Sequence, residues 1–253
     1  MKNSLNQLEI DHMYYVNLEG STEKNEHCIK LFSKHEFDVE RVDAVSDSGY
    51  ETTGRMLSTY KAQNQSVINT LKDAISNGYH RIVMFEDDVA FTDDAGKVFA
   101  ESVERITELK TIIDDLDKEI YALDEEGAIT EEVIGYEQKE HIEMVAHIPD
   151  NWDFISLGCL ANGAPPYHLG GRVWGLSYCA LAHANIYRDT MYQPLIDELE
   201  KMELPYDMCV AKVFRDFDKY KAVGILYKGI AYQKAGFRSD NLKIDNYDNS
   251  EVT

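Results

Sequence analysis

A short apolar run ending in three carboxylates limits the possible folds of this chain more than any other feature. Arg81-Ile-Val-Met-Phe-Glu86 follows a helix stop at Asn77-Gly78 and leads straight into Asp87-Asp88. Upstream, Met13 to Leu18 is β-branched and aromatic and passes into EGSTEKNE, which predicts a buried strand feeding a helix from Ser21 or Thr22 to about Lys34. Phe37 to Val45 alternates apolar and polar side chains before an SDSG turn and reads as a half-buried strand. Met56, Tyr60, Val67, Leu71, Ala74 and Ile75 recur largely at three- and four-residue intervals, which predicts an amphipathic helix over 56–75. Strand, helix, strand, helix, strand marks a three-layer α/β sheet, whose ligands gather at the carboxyl ends of the strands. The acidic triplet falls at such an end.

Three adjacent carboxylates in a partly dry site repel one another by roughly several kcal/mol unless a cation or a hydrogen-bond network compensates them. A divalent metal is the simplest compensation. Residues two apart on an extended or turning backbone point the same way, so Glu86 and Asp88 can share one ion while Asp87 faces elsewhere. Hard carboxylate oxygens suit Mn²⁺ or Mg²⁺, with positions left for phosphate oxygens. The alternative is an acidic surface turn.

Charge narrows the function further. With 46 acidic against 25 basic side chains the net charge is −21, so the overall field repels nucleic acid, whose binding rests on Lys and Arg at phosphates. Residues 101–150 hold 16 acidic and 4 basic side chains, and Val103, Ile106, Leu109, Ile113, Leu116 and Ile120 form an apolar stripe there. Gly127 separates that stripe from a weaker helical pattern, so 100–147 reads as an inserted acidic helical hairpin within a single domain spanning 1–253, its charge a solvated face or an interaction surface. Against this background residues 201–243 are net positive, with 9 basic and 5 acidic side chains. Lys228, Lys234 and Arg238 flank Gln233 and Ser239-Asp240, so a loop here could hold a diphosphate; the alternative is charge scattered on a helix and a tail.

The remaining chain reads as a strand at Trp152 to Gly158, a loop over CLANGAPPYHLGG, and an apolar strand within Arg172 to Ala182 feeding a helix over Ala184 to Tyr192. A further helix follows Pro194, another spans about Tyr206 to Phe217, and short strands lie near Ala222 to Tyr227 and Ile230 to Gln233. Asp207 beside Pro205 reads as a helix N-cap or as a general base for an acceptor hydroxyl. Tyr167, His168 and Trp174 flank the Gly170-Gly171 pair and suit stacking on a sugar, although Trp174 equally fits a core. His183 reads as structural. Cys28, Cys159, Cys179 and Cys209 form no CxxC pair and read as small core residues of a reducing compartment. No run approaches the ~20 apolar residues of a membrane helix and no signal peptide opens the chain, so a soluble cytoplasmic protein is expected. GxGxxG, Walker, GxSxG and HExxH patterns are absent.

Taken in order, these motifs resemble glycosyltransferase family 25, the lipopolysaccharide and collagen sugar transferases. YYVNLEGSTEKNEHCIKLF is similar to that family's opening strand and helix, RVDAV to its second strand, and TTGRMLSTYKAQNQSVINTLKDAISNGYHRIVMFEDDVAF to the stretch ending in its Glu-Asp-Asp motif. NWDFISLG, GLSYCALAHANI, PYDMCVAK and YQKAGFRSDNL resemble its later blocks. Ser58-Thr59 stands where the family has a Ser-His pair, and Glu19 with nearby polar residues replaces its arginines.

The resemblance implies a GT-A-like fold with a nucleotide-sugar pocket and a Mn²⁺ (or Mg²⁺) bridging the diphosphate. It makes Glu86, Asp88 and Asp240 the metal contacts and Asp207 the base; Asn17, Leu18, Ala44, Ser58 and Lys61 would line the donor pocket, beside Lys234 and Arg238. Tyr167, His168 and Trp174 remain the acceptor candidates. The expected function is sugar transfer from a nucleoside diphosphate donor, a uridine diphosphate sugar first, to a hydroxyl on a glycan or lipopolysaccharide precursor. A hydroxymethylated base in DNA is an alternative acceptor. A non-catalytic binding or scaffold module is the alternative from another class.

Overall fold

The computed structural model describes residues 2–104, 106, 152–159, 167–170, 173–176, 183–214, 222–226, 230–237 and 239. A short helix, α1 (Lys2–Gln7), precedes β1 (His12–Asn17), α2 (Thr22–Lys34) and β2 (Glu40–Asp43). Then come α3 (Ser58–Asn77), β3 (Arg81–Glu86), β4 (Val89–Phe91) and a helix over 95–104, α4. Helix α3 stops where the sequence predicts it to: Gly78 adopts a left-handed φ of 69°, open to glycine at no steric cost, and its N–H reaches the Ala74 and Ile75 carbonyls.

The later elements are β5 (Phe154–Cys159), β6 (Tyr167–Gly170), β7 (Val173–Gly175), β8 (Ala184–Arg188), α5 (Asp189–Leu199), α6 (Tyr206–Val213), β9 (Ala222–Leu226) and β10 (Ala231–Gln233). Eight strands form one mixed sheet in the order β2-β1-β3-β8-β5-β9-β7-β6. Only β8 and β7 run against the others, so the sheet is mostly parallel in direction. Side chains sort by strand parity. Tyr15, Val83 and Phe85 pack with Cys28 and Phe32 of α2 on one face, whereas Tyr14, Ile82 and Met84 pack with Val67, Ile68 and Leu71 of α3 on the other.

That sorting positions the site. Strand β1 pairs in parallel with both β2 and β3, so the chain leaves β1 to one side over α2 and returns to the other side over α3. The connections diverge at the carboxyl ends of β1 and β3, opening the crevice in which α/β sheets hold ligands. A separate antiparallel ladder closes over it: β10 pairs with β4, Gln233 opposite Val89, immediately after the acidic triplet.

Several elements differ from the sequence reading. Residues 184–188, predicted as helix, are strand β8, because β3 and β5 satisfy its backbone on both sides and Ile186 and Tyr187 suit a pleated surface better than the alanines suit a helix. Pro194 lies inside α5 rather than before a helix; burial of Met191, Tyr192, Leu195, Ile196 and Leu199 outweighs the ~3 kcal/mol proline penalty. Residues 167–170, predicted as loop, form the edge strand β6, paired antiparallel to β7. Helix α4 starts before the expected insertion boundary at 100, and Val98, Phe99 and Val103 belong to the core; the rest of the predicted hairpin lies outside the described residues, as do Cys179 and Lys228. Cys28 and Cys209 are buried free thiols. Among the described residues no helix is long and apolar enough to cross a membrane.

Candidate functional site

A cleft of about 380 Å³ opens at the ends of β1, β2 and β3. Val16 and Leu18 come from β1 and its exit, Ala44 and Val45 from the exit of β2, and Met84 through Asp88 from β3. Thr59, Ala62, Gln63, Ser66 and Val67 of α3 form a wall, and Lys24, Asp47, Tyr206, Gln233 and Ser239 complete the lining.

The three carboxylates part as strand parity demands. Asp87 turns to the α2 side, accepting from Asn17 Nδ2 at 2.8 Å and Lys24 Nζ at 3.0 Å. Glu86 turns to the α3 side, where Gln63 Nε2 donates to Oε1 at 2.9 Å. Asp88 receives Gln233 Nε2 on Oδ2 at 2.8 Å, while its Oδ1 is buried without a hydrogen-bond partner. An acceptor left dry in this way is costly, and it points to an absent donor or cation. Burial first, then the charges of Asp88 and Asp87, pushes the Glu86 carboxyl up to about 8. Burial also raises Asp87, to about 6, against the pull of Lys24 and the Asn17 amide. The donor set of Glu86 and Asp88, hard oxygens in a crowded negative field, fits a divalent cation. Among the described residues no three His, Cys, Asp or Glu side chains converge to complete such a site, and Asp240 lies outside them.

The structure brings some of the other predicted residues to this cleft and not others. Leu18 and Ala44 line it, and Asn17 sits behind it as the Asp87 partner. Ser58 and Lys61 do not line it: Ser58 Oγ donates to Asp47 and Lys61 Nζ to the Glu51 carbonyl, while the next-door Thr59 and Ala62 face inward. Lys234 is exposed; its backbone N–H donates to the Asp88 carbonyl at 2.7 Å, and its ammonium lies 3.3 Å from His27 Nδ1. Arg238 lies outside the described residues. Asp207 stands in the first turn of α6, beside cleft-lining Tyr206, and burial raises its pKa although the Met208 N–H bonds it. The N-cap there is Pro205, which corrects the capping reading of Asp207.

Tyr167 and His168 on β6 and Trp174 on β7 belong to the far edge of the sheet. Strands β8, β5 and β9 intervene between β3 and β7, a separation of roughly 19 Å at ordinary strand spacing. His183 is fully buried, its pKa pushed down to about 4 by burial, and its carbonyl accepts the Glu86 N–H, in keeping with a structural histidine. The sequence reading missed Lys24, Gln63, Tyr206 and Gln233. The available signal was polar residues on the otherwise apolar side of α3 and a lysine in the first turn of α2.

No family model and no curated protein matches this chain. Among solved structures it is similar to A197 from STIV, at 9% identity and a TM-score of 0.35, over 88% of this chain and 84% of that one.

Proposed function

We propose that the chain is a cation-dependent glycosyltransferase with a GT-A-like fold, taking a nucleoside diphosphate sugar, a uridine diphosphate sugar first, and passing the sugar to an acceptor hydroxyl. The observation that carries this reading is the buried, unpartnered Oδ1 of Asp88, a residue lining the cleft at the sheet's switch point. Glu86 and Asp88 would hold a Mn²⁺ or Mg²⁺, with Asp240 as a further ligand. When bound, that ion offsets the charge that grows on the departing diphosphate.

The chain's own residues supply the rest. Gln63 and Gln233 each fix one carboxylate by an amide hydrogen bond and so orient the remaining oxygens. The apolar lining of Val16, Ala44, Val67 and Met84 suits a nucleoside. Asp207, made more basic by burial, takes the acceptor proton as the acceptor oxygen bonds to the sugar carbon and the diphosphate leaves with the electron pair of the bond it loses.

Radiolabelled nucleotide sugars with MnCl₂ test the reading. Asp88→Asn is expected to abolish both nucleotide binding and sugar release. Asp207→Asn is expected to keep nucleotide affinity and lower transfer by about 10²–10⁴-fold, the usual contribution of a positioned base. Release of sugar at the native rate by Asp88→Asn would remove the carboxylates from the reaction.

A further inference from the structure

Four carboxylates, Asp47, Glu86, Asp87 and Asp88, line the cleft, and among its described lining residues Lys24 is the sole basic side chain. A diphosphate entering such a space is repelled by ionised carboxylates and attracted by the lysine. Resting on the glycosyl-transfer reading, we infer that Lys24 is the protein's own diphosphate anchor, held ready by Asp87. The Lys24 side chain is 8% exposed, its Nζ lies 3.0 Å from Asp87 Oδ1, and it belongs to the first helical turn after the β1 exit. An ammonium has three donors on a flexible stem, so one group can hold Asp87 and also bond a phosphate oxygen.

Asp87 is built for that handover. Its Oδ2 keeps the Asn17 amide at 2.8 Å, and Asn17 is itself steadied by Arg41 Nε at 3.1 Å on its Oδ1. If the ammonium is shared with a phosphate, the aspartate therefore still has a donor. Cys28 Sγ–H donates to the Asp87 carbonyl at 3.3 Å, which fixes the backbone from which the carboxylate projects. The unpartnered Asp88 Oδ1 one residue on independently marks the same place as a ligand position. Asp87 is thus a positioning residue and Lys24 a ligand contact.

Titration calorimetry in MgCl₂ with UDP, CDP, ADP and GDP, and with the nucleoside of whichever binds, tests this. Lys24→Met alone strands a buried aspartate, so the informative variant is Lys24→Met with Asp87→Asn, which removes both charges together. Its diphosphate affinity is expected to fall about 10- to 100-fold, the scale of one charge-assisted hydrogen bond, with nucleoside affinity and melting temperature unchanged. Lys24→Arg is expected to recover part of the loss. A native gap between diphosphate and nucleoside affinity that persists in the double variant, or a parallel loss of both ligands, overturns the role of Lys24 and leaves the transferase reading standing. Failure of native protein to bind any of the four diphosphates overturns both.

Discussion

Neighbouring carboxylates at one strand end meet opposite surroundings because each successive residue of a strand changes face. Asp87 obtains a lysine and an amide; Glu86, on the other face, obtains the Gln63 amide and two negative neighbours. Its native pKa of about 8 lies above the ordinary 4.5, so the folded state holds this proton more tightly than the unfolded chain. Its contribution to stability is whole below about 4.5 and is lost as pH rises through about 8. In chelator-treated protein Glu86→Gln, which cannot ionise, should melt higher than native protein at pH 9 by more than about 2 °C, the scale of ~1 kcal/mol in a chain of this size. The gap should close by pH 5. A gap of equal size at both values would show that ionisation is not the cause.

At the scale of elements, the cleft depends on how closely β10 passes over β5. A Cβ on Gly158 would stand 2.0 Å from the Ala231 carbonyl oxygen, so glycine is needed at this crossing for lack of room. Gly158→Ala should therefore cost about 1–3 kcal/mol, the range for overpacked cores. It should also weaken nucleotide binding, since moving Ala231 moves Gln233 off Asp88. A variant that melted like native protein would mean that β10 shifts freely.

The first half of the fold was legible in sequence because local signals there largely agree with the tertiary outcome: Gly78 ends α3, and Val67, Leu71 and Ala74 of the predicted stripe are buried, although Ile75 is exposed and Met56 precedes the helix. The run from Ala184 was misread since a central antiparallel strand is defined by partners far away in sequence, and alanines give no hint of them. Glu86 and Asp88 were legible as adjacent acids after an apolar run. Gln63 and Gln233 were not, because an amide becomes part of a site only through the fold, Gln233 meeting Asp88 across 145 residues.

Across the whole molecule, a net charge of −21 sets the terms on which an anionic ligand arrives. On the transferase reading, long-range repulsion slows the approach of a nucleotide, and salt screens it over a Debye length of about 8–10 Å. Nucleotide association, measured by stopped flow at fixed free Mg²⁺, should therefore quicken as ionic strength rises from about 0.01 to 0.15 M. Slowing with salt would mean that a local basic field governs entry instead.

The β4–β10 ladder has a consequence for synthesis. The acidic triplet leaves the ribosome long before Gln233 and Ser239 exist, so a nascent chain can complete β1 to β3 yet has no roof over its carboxylates. The cleft is complete only once Gln233 and Ser239 have been made, and a message cut short ahead of them would yield a chain whose cleft lacks one side.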